Sequence, residues 1–189
     1  MLRFSVRPLA ALVVAAVVAS PAFAETIDNP MYKSWAGQKK GTVVTVKMVS
    51  EYGGQKSEMT MVSTLIELTA DAATVETFTA TKIGTMEFKA PAMKLEVKKT
   101  MELPSGKKKE DLDKPEGFIE GGTETVKVGG VEYKTKWMKI KTKVNDVEVE
   151  SKTWTSDDVP SMVVKMDSKT NIKGTAGAMT MELVSVKKP

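Results

Sequence analysis

The stretch GTVVTVKMVSEYGGQKSEMTMVSTLIEL, residues 41–68, decides the fold class of this chain. In its first half Val44, Val46 and Met48 alternate with polar residues, which is the period-two pattern of a strand that buries one face. The pair Gly53-Gly54 follows, and glycine accepts the positive φ that tight hairpin turns require. The stretch therefore predicts two antiparallel strands, one on each side of the glycine pair.

The same pattern continues to the end of the chain in runs of about eight to twelve residues separated by turn residues. Pro91 lies inside one run and cannot donate to a ladder, so that strand is broken or lies at an edge. Short turns favour local pairing, and a sheet of about nine strands is expected to curl or close. We therefore predict a mainly β fold, a single antiparallel meander curved into a half-barrel or open barrel. The nine predicted strands are 41–52, 55–68, 70–83, 86–98, 122–128, 131–144, 147–156, 161–170 and 176–188.

One short helix is predicted before the first strand, in NPMYKSWAGQKKG. Asn29 can cap it, Pro30 suits its first position and Gly41 can end it. We expect the helix to cover one end of the sheet. Its apolar face, interpreted as a packing surface rather than an aromatic ligand contact, contains Met31, Tyr32 and Trp35.

The first 24 residues, MLRFSVRPLAALVVAAVVASPAFA, have the three parts of a secretory signal peptide. Arg3 and Arg7 supply the positive region, and the apolar run that follows is too short to span a bilayer. Ala22-Phe23-Ala24 is a cleavage site, which predicts a mature chain of one β-rich domain, residues 25–189. The chain has no cysteine for lipid attachment, so we expect a periplasmic or secreted protein that is not anchored after cleavage.

The composition excludes several classes of function. Cleavage removes both arginines, which leaves 26 lysines against 24 acidic residues and no histidine. A surface of this kind, without arginine, argues against specific nucleic-acid binding. Without histidine or cysteine, a Ser-His-Asp triad, a thiol nucleophile and the usual transition-metal sites are also missing. We therefore predict that the chain is not an enzyme and has no cofactor.

The segment 98–121 is the one stretch of low hydrophobicity, a run of lysines followed by acidic residues. It predicts a solvated charged loop between the two halves of the domain. Its lysine-rich part, 107–114, is the alternative site for docking a charged partner, and a helical turn could form over 108–114.

Two groups of side chains invite a metal interpretation. Met59-x-Met61 and Met179-x-Met181 each place two thioethers on one strand face, and soft sulfur suits Cu(I). Core packing is the preferred interpretation, because methionine fills irregular interiors. The oxygen ligands of Ser156-Asp157-Asp158 could bind a cation, but a turn that ends a strand is preferred there.

Five short motifs are spread over most of the predicted mature chain. They are Asn29-Pro30-x-Tyr32-x-x-Trp35, Gly41-Thr42-x-Val44, Gly122-Thr123-Glu124-Thr125, Gly130-x-x-Tyr133-x-x-x-Trp137 and Lys152-Thr153-Trp154-x-Ser156-x-x-Val159-Pro160. Together they resemble a group of uncharacterised exported bacterial proteins that are rich in β-structure. The helix followed by a curved sheet, with the W-x-S-x-x-V-P corner, is distantly similar to the lipoprotein-carrier (LolA-like) half-barrels, and that similarity implies an acyl-binding concave face.

The leading hypothesis is an exported, non-catalytic protein that binds a lipid or another hydrophobic small molecule in the concave face of its sheet. The alternative is an envelope protein that docks on a partner through its lysine-rich loop or a sheet edge. An enzyme that uses serine, lysine or carboxylates is the third. The residues predicted to line the ligand site are Met48, Met59, Met61, Phe88, Trp137 and Met181.

Overall fold

A computed structural model of the protein describes residues 25–103 and 109–189. The predicted signal peptide and residues 104–108 of the charged loop lie outside these ranges. The described strands are β1 (Thr26–Asp28), β2 (Val43–Tyr52), β3 (Gln55–Leu68), β4 (Ala72–Ile83), β5 (Met86–Lys89), β6 (Met93–Lys98), β7 (Thr100–Glu102), β8 (Phe118–Val128), β9 (Val131–Val144), β10 (Val147–Thr155), β11 (Val163–Ile172) and β12 (Thr175–Lys187), and the helices are α1 (Pro30–Ala36) and α2 (Glu110–Asp113).

Ten of these strands form one antiparallel sheet in the order β5-β4-β3-β2-β12-β11-β10-β9-β8, with β6 also paired to β4. The predicted mainly β, antiparallel fold is confirmed, and the sheet is open. Two meanders make it up, and β2 pairs with β12 to join them. The chain between β6 and β8 connects the two open edges of the sheet, and it contains β7, α2 and most of the predicted charged loop.

The turn glycines lie where the sequence pattern predicts hairpins. Gly53 and Gly54 have φ values of 56° and 79°, and Gly129 and Gly130 have values of 57° and 84°. The predicted interruption at Pro91 is also present, since β5 and β6 pair with different parts of β4 on either side of it. The small β1–β7 sheet was not predicted, because three-residue strands are too short to show alternation.

The helix α1 begins as predicted and ends earlier than predicted. The Asn29 side chain accepts a hydrogen bond from the Met31 backbone N–H at 3.0 Å, and Pro30 is the first helical residue. The helix stops at Ala36, well before Gly41. Gly41 cannot extend it, because its N–H donates to the Leu65 carbonyl at 2.8 Å and its φ is 90°.

The helix packs on the sheet through its aromatic side chains. Tyr32 and Trp35 are buried, and the Tyr32 hydroxyl donates to the Thr69 carbonyl at 2.8 Å. Met31, predicted to share this face, is exposed. The packing interpretation of the helix is therefore confirmed for the two aromatic residues.

The core lies toward one end of the large sheet, under α1 and the tip of the β8–β9 hairpin. This hairpin extends past the end of β10, because β9 pairs with β10 only over residues 136–144. The β8 strand contacts β12, although three strands separate them in the sheet. Such a contact requires strong curvature, consistent with a half-barrel. The buried core cluster contains Tyr32, Trp35, Val44, Val46, Leu65, Ala73, Val75, Val97, Val128, Val159, Val164 and Leu183.

Neither helix in the described part of the chain is long and apolar enough to cross a bilayer.

Candidate ligand-binding face

Methionines from separate strands form one transverse row across the large sheet. Met48 pairs directly with Met59 on one side and with Met181 on the other, and Met181 pairs with Met166. Directly paired residues have Cβ atoms about 5 Å apart and point to the same face. The complete row, from β5 to β8, is Phe88, Thr81, Met59, Met48, Met181, Met166, Thr153, Met138 and Gly121.

We call this set the methionine row and the side of the sheet that carries it the methionine face. The row lies next to the core, since Val46 and Leu183, two residues along their strands from Met48 and Met181, are buried. The five methionines of the row are half-buried. The row therefore marks the boundary where the packed core gives way to a more accessible part of the same face.

The structure brings together four of the six predicted lining residues. Met48, Met59 and Met181 are consecutive members of the row, and Met61 shares their face because it is two residues from Met59 on β3. Phe88 is on the same face but at the open edge, where its side chain is largely exposed. Both members of each predicted thioether pair lie on this face, since Met179 is likewise two residues from Met181.

Trp137, the sixth predicted residue, lies on the opposite face of the sheet. It precedes Met138 in β9, and neighbouring strand residues point to opposite sides. The Trp137 backbone pairs with Trp154 and with Gly122. A Cβ atom on Gly122 would be 3.1 Å from the Trp137 indole, so the glycine lets the ring lie close over β8.

Hydroxyl side chains surround the methionine row and form hydrogen bonds with one another. Ser50 and Ser57 are 2.7 Å apart, and Ser63 and Thr77 are 3.0 Å apart, each pair between neighbouring strands on the methionine face. A hydroxyl with such a partner can be covered by an apolar surface at a lower cost than an unpaired one. The face is therefore less polar than its count of serine and threonine suggests.

A cation–π cluster occupies the opposite face around Trp137. The Lys152 ammonium lies 4.1 Å from the Trp137 ring centroid and 4.4 Å from that of Trp154. It also contacts the Glu124 carboxylate at 3.1 Å, and that carboxylate accepts a hydrogen bond from the Trp154 indole N–H. The bond from Trp154, followed by that from Lys152, lowers the pKa of Glu124. The lysine fills the space between the rings, so this cluster ties β8, β9 and β10 together.

Ion pairs cover much of the rest of the opposite face. Lys47 contacts Glu58 at 2.8 Å, and Lys139 contacts Glu150 at 3.0 Å. The hydrogen bond from each lysine lowers the pKa of its glutamate, and the bond from Lys141 does the same for Glu148. On β2, β3, β10, β11 and β12 the two faces of the sheet therefore differ in chemistry, with charges on one and thioethers and hydroxyls on the other.

The corner at Ser156 forms a turn. The Ser156 hydroxyl accepts from the Asp158 backbone N–H at 3.4 Å, and the Ser156 N–H donates to the Met162 carbonyl at 2.8 Å. Val159 and Pro160 are fully buried beneath it. Within residues 25–103 and 109–189, no group of three or more carboxylates is arranged to hold a metal ion.

Two open cavities on the sheet have charged residues in their lining and lie away from the predicted lining residues. One, of about 540 Å³, is lined by Glu148, Glu150 and Lys169 among others. The second, of about 630 Å³, is lined by Glu124 and Asp157 among others. Their charged walls do not suit an apolar ligand, so the methionine face, rather than either cavity, is the candidate apolar surface.

The sequence reasoning missed Met166 and Met138, which extend the row. Met166 had a local signal, because it lies two residues from the buried Val164 on β11. Met138 had none, because the buried Thr135 of β9 has the parity of Trp137. Pairing between strands brings them into line with Met181, and that pairing is not visible in a single strand.

No known protein-family model matches the sequence, and a search of curated proteins finds no relative. Solved structures give partial likenesses. A candidate lipoprotein from Parabacteroides distasonis has a TM-score of 0.46 at 11% identity, over 79% of this chain and 96% of that one. A candidate exported protein with a YmcC-like fold from Bacteroides fragilis has a TM-score of 0.46 at 9% identity, over 80% and 97%.

A domain named as an outer-membrane lipoprotein-sorting protein, from Vibrio parahaemolyticus, has a TM-score of 0.28 at 11% identity, over 83% of this chain and 88% of that one. The neighbours thus include proteins of the kind that the resemblance suggested. TM-scores this low carry no inference about the fold or the function of this chain, and the resemblance of the motifs stays a prediction.

Proposed function

We propose that the chain is a non-catalytic exported protein that binds a hydrophobic ligand, with a lipid acyl chain as the first choice, along its methionine face. The observation that carries the proposal is the methionine row, in which Met59, Met48, Met181 and Met166 are in register on four adjacent strands. At a strand spacing of about 4.8 Å these four span roughly 14 Å.

The side-chain chemistry of the face supports an apolar ligand of variable shape. Methionine has three rotatable bonds and a polarisable sulfur, and it adapts to different apolar partners. Four hydroxyls on this face are already paired, Ser50 with Ser57 at 2.7 Å and Ser63 with Thr77 at 3.0 Å. An acyl chain covering them would therefore leave few groups without a hydrogen bond.

The proposal is tested with a fluorescent fatty acid that becomes bright in apolar surroundings. The purified protein should take it up, and the double variant Met48→Ser and Met181→Ser should bind at least tenfold more weakly. Met48→Leu with Met181→Leu should retain most of the affinity, because the surface stays apolar. Met31→Ser is the matched control, since this methionine is exposed on α1.

Thermal unfolding of each variant, followed by circular dichroism, separates lost binding from lost folding. The proposal fails if the wild-type protein does not take up the probe, or if the folded serine variant binds it as tightly as the wild type. Native mass spectrometry of the protein from the exported fraction should also show a lipid-sized adduct.

A further inference from the structure

Exposed apolar side chains are concentrated at one edge of the large sheet. Of the eleven large hydrophobic residues that are exposed in the described ranges, five lie on β5, β6 and the end of β4. Their exposed fractions are 41% for Ile83, 58% for Met86, 54% for Phe88, 71% for Met93 and 58% for Leu95.

These five side chains form one patch. Ile83 is on β4 itself, and the other four pair with β4 residues of the same parity as Ile83, as Phe88 does with Thr81 and Met93 with Thr77. They therefore point to the methionine face, and Phe88 continues the methionine row to the edge. Contiguous exposed patches of this kind mark sites of interaction. We call the five residues the edge patch.

The segment that carries the edge patch is strongly basic. Residues 82–99 hold five lysines and two glutamates, a net charge of +3, whereas the predicted mature chain as a whole has +2. Lys89 contacts Glu87 at 3.3 Å. Lys82, Lys94 and Lys98 have no ion-pair partner within the described ranges, so their charges are available to an external anion.

We infer that this edge docks on the surface of an anionic lipid bilayer. Apolar side chains beside lysines are the composition of interfacial segments, in which the apolar groups enter the acyl boundary and the ammonium groups reach the phosphates. In β6, Met93 and Leu95 point to the methionine face and Lys94 between them points to the opposite face, so a bilayer that covers this edge meets both kinds of side chain. The inference does not depend on ligand binding by the methionine row.

The charge distribution disfavours a second copy of this chain as the occupant. Two edges of net charge +3 would repel each other on approach. Pro91 also interrupts the edge between β5 and β6, so a continuous ladder with another strand cannot form. An anionic bilayer instead satisfies both the apolar and the basic parts of the edge.

The test is co-sedimentation of the purified protein with vesicles. Vesicles of equal parts phosphatidylglycerol and phosphatidylcholine should bind it, and vesicles of phosphatidylcholine alone should bind it much more weakly. Raising the salt concentration should release the protein, because salt screens the attraction between the lysines and the anionic headgroups. The double variant Phe88→Ser and Leu95→Ser should reduce binding at least tenfold.

The basic residues are tested separately from the apolar ones. Lys94→Gln with Lys98→Gln should also weaken binding, by about fivefold for each lysine. The matched controls are Val131→Ser and Lys127→Gln, which alter an exposed apolar residue and a lysine of the β8–β9 hairpin. Neither control should change binding.

Equal binding to both kinds of vesicle, or equal binding by the edge variants and the controls, would overturn the inference. So would a dimer in light scattering that Phe88→Ser abolishes, because the patch would then belong to a second copy. Fatty-acid uptake without vesicle binding would leave the proposed function standing and refute only the docking edge.

Discussion

Met48 lies directly opposite Met181 across the ladder between β2 and β12, the strands that join the two halves of the large sheet. The chain separates the two residues by most of its length, and the ladder sets them side by side. Each has a further methionine on its other flank, Met59 and Met166 respectively. The seam between the two meanders is therefore also the centre of the candidate ligand-binding face.

Leu183 should be one of the most important residues for stability. It is buried in the core cluster beside the methionine row, and Leu183→Ala should lower the free energy of unfolding by about 2–5 kcal/mol through lost burial and a cavity. Its exposed neighbour Val184 provides the control, because Val184→Ala should change the free energy of unfolding by less than about 0.5 kcal/mol. Urea titrations measure both, and similar effects for the two would contradict the assigned faces of β12.

Gly117 should not tolerate a side chain. Its φ is 82°, and an added Cβ atom would collide with the Lys141 carbonyl oxygen. Gly117→Ala should destabilise the fold by about 1–3 kcal/mol. Gly84→Ala is the control, because Gly84 has a φ of 58° but open space around it. Gly84→Ala should cost about 1 kcal/mol from backbone strain alone. If thermal unfolding shows a smaller loss of stability for Gly117→Ala than for Gly84→Ala, residue 117 does not lie close to the Lys141 carbonyl.

The Asn29 cap should contribute measurably to stability. Its side-chain oxygen satisfies the Met31 N–H at 3.0 Å, so Asn29→Ala should lower the free energy of unfolding by about 1 kcal/mol. Asn29→Ser keeps a capping oxygen and should cost much less. If alanine and serine are equivalent in urea unfolding, the cap does not stabilise the helix.

Stability should fall in acid because several carboxylates are paired. The pKa of Glu124 is lowered from 4.5 by the hydrogen bonds from Trp154 and Lys152. A carboxyl group with a lowered pKa stabilises the fold above its ordinary pKa, and this contribution disappears as the pH falls through the lowered value. Glu58, Glu148 and Glu150 act in the same direction.

Glu124→Gln should therefore flatten part of the acid dependence. The midpoint of thermal unfolding, measured between about pH 7 and pH 3, should drop less steeply in the variant than in the wild type. Glu132→Gln, on the β8–β9 hairpin outside any described ion pair, should leave the slope unchanged. A parallel slope for Glu124→Gln would show that its carboxylate is not held by the tryptophan and the lysine.

Most of the strands could be predicted because their signals are local. Alternation of apolar and polar residues and the glycine pairs at 53–54 and 129–130 place β3 and β9 at their observed bounds. Side-chain direction in a strand and positive φ at a turn depend on a few consecutive residues. The same holds for the cap at Asn29 and for the break at Pro91.

The candidate site could be predicted only in part, because it depends on pairing between distant strands. The composition of each strand pointed to Met48, Met59, Met61 and Met181, but not to the row that they form with Met166 and Met138.

Trp137 shows the limit most clearly. The pairing of Met138 with Thr153 puts Met138 on the methionine face. Trp137 is its neighbour in the strand and therefore points to the charged face. The amino-acid sequence by itself determined where the chain extends and turns, since neighbouring residues set those conformations. Only the tertiary structure decided which side chains share a face, because strand register is settled by contacts between residues far apart in the chain.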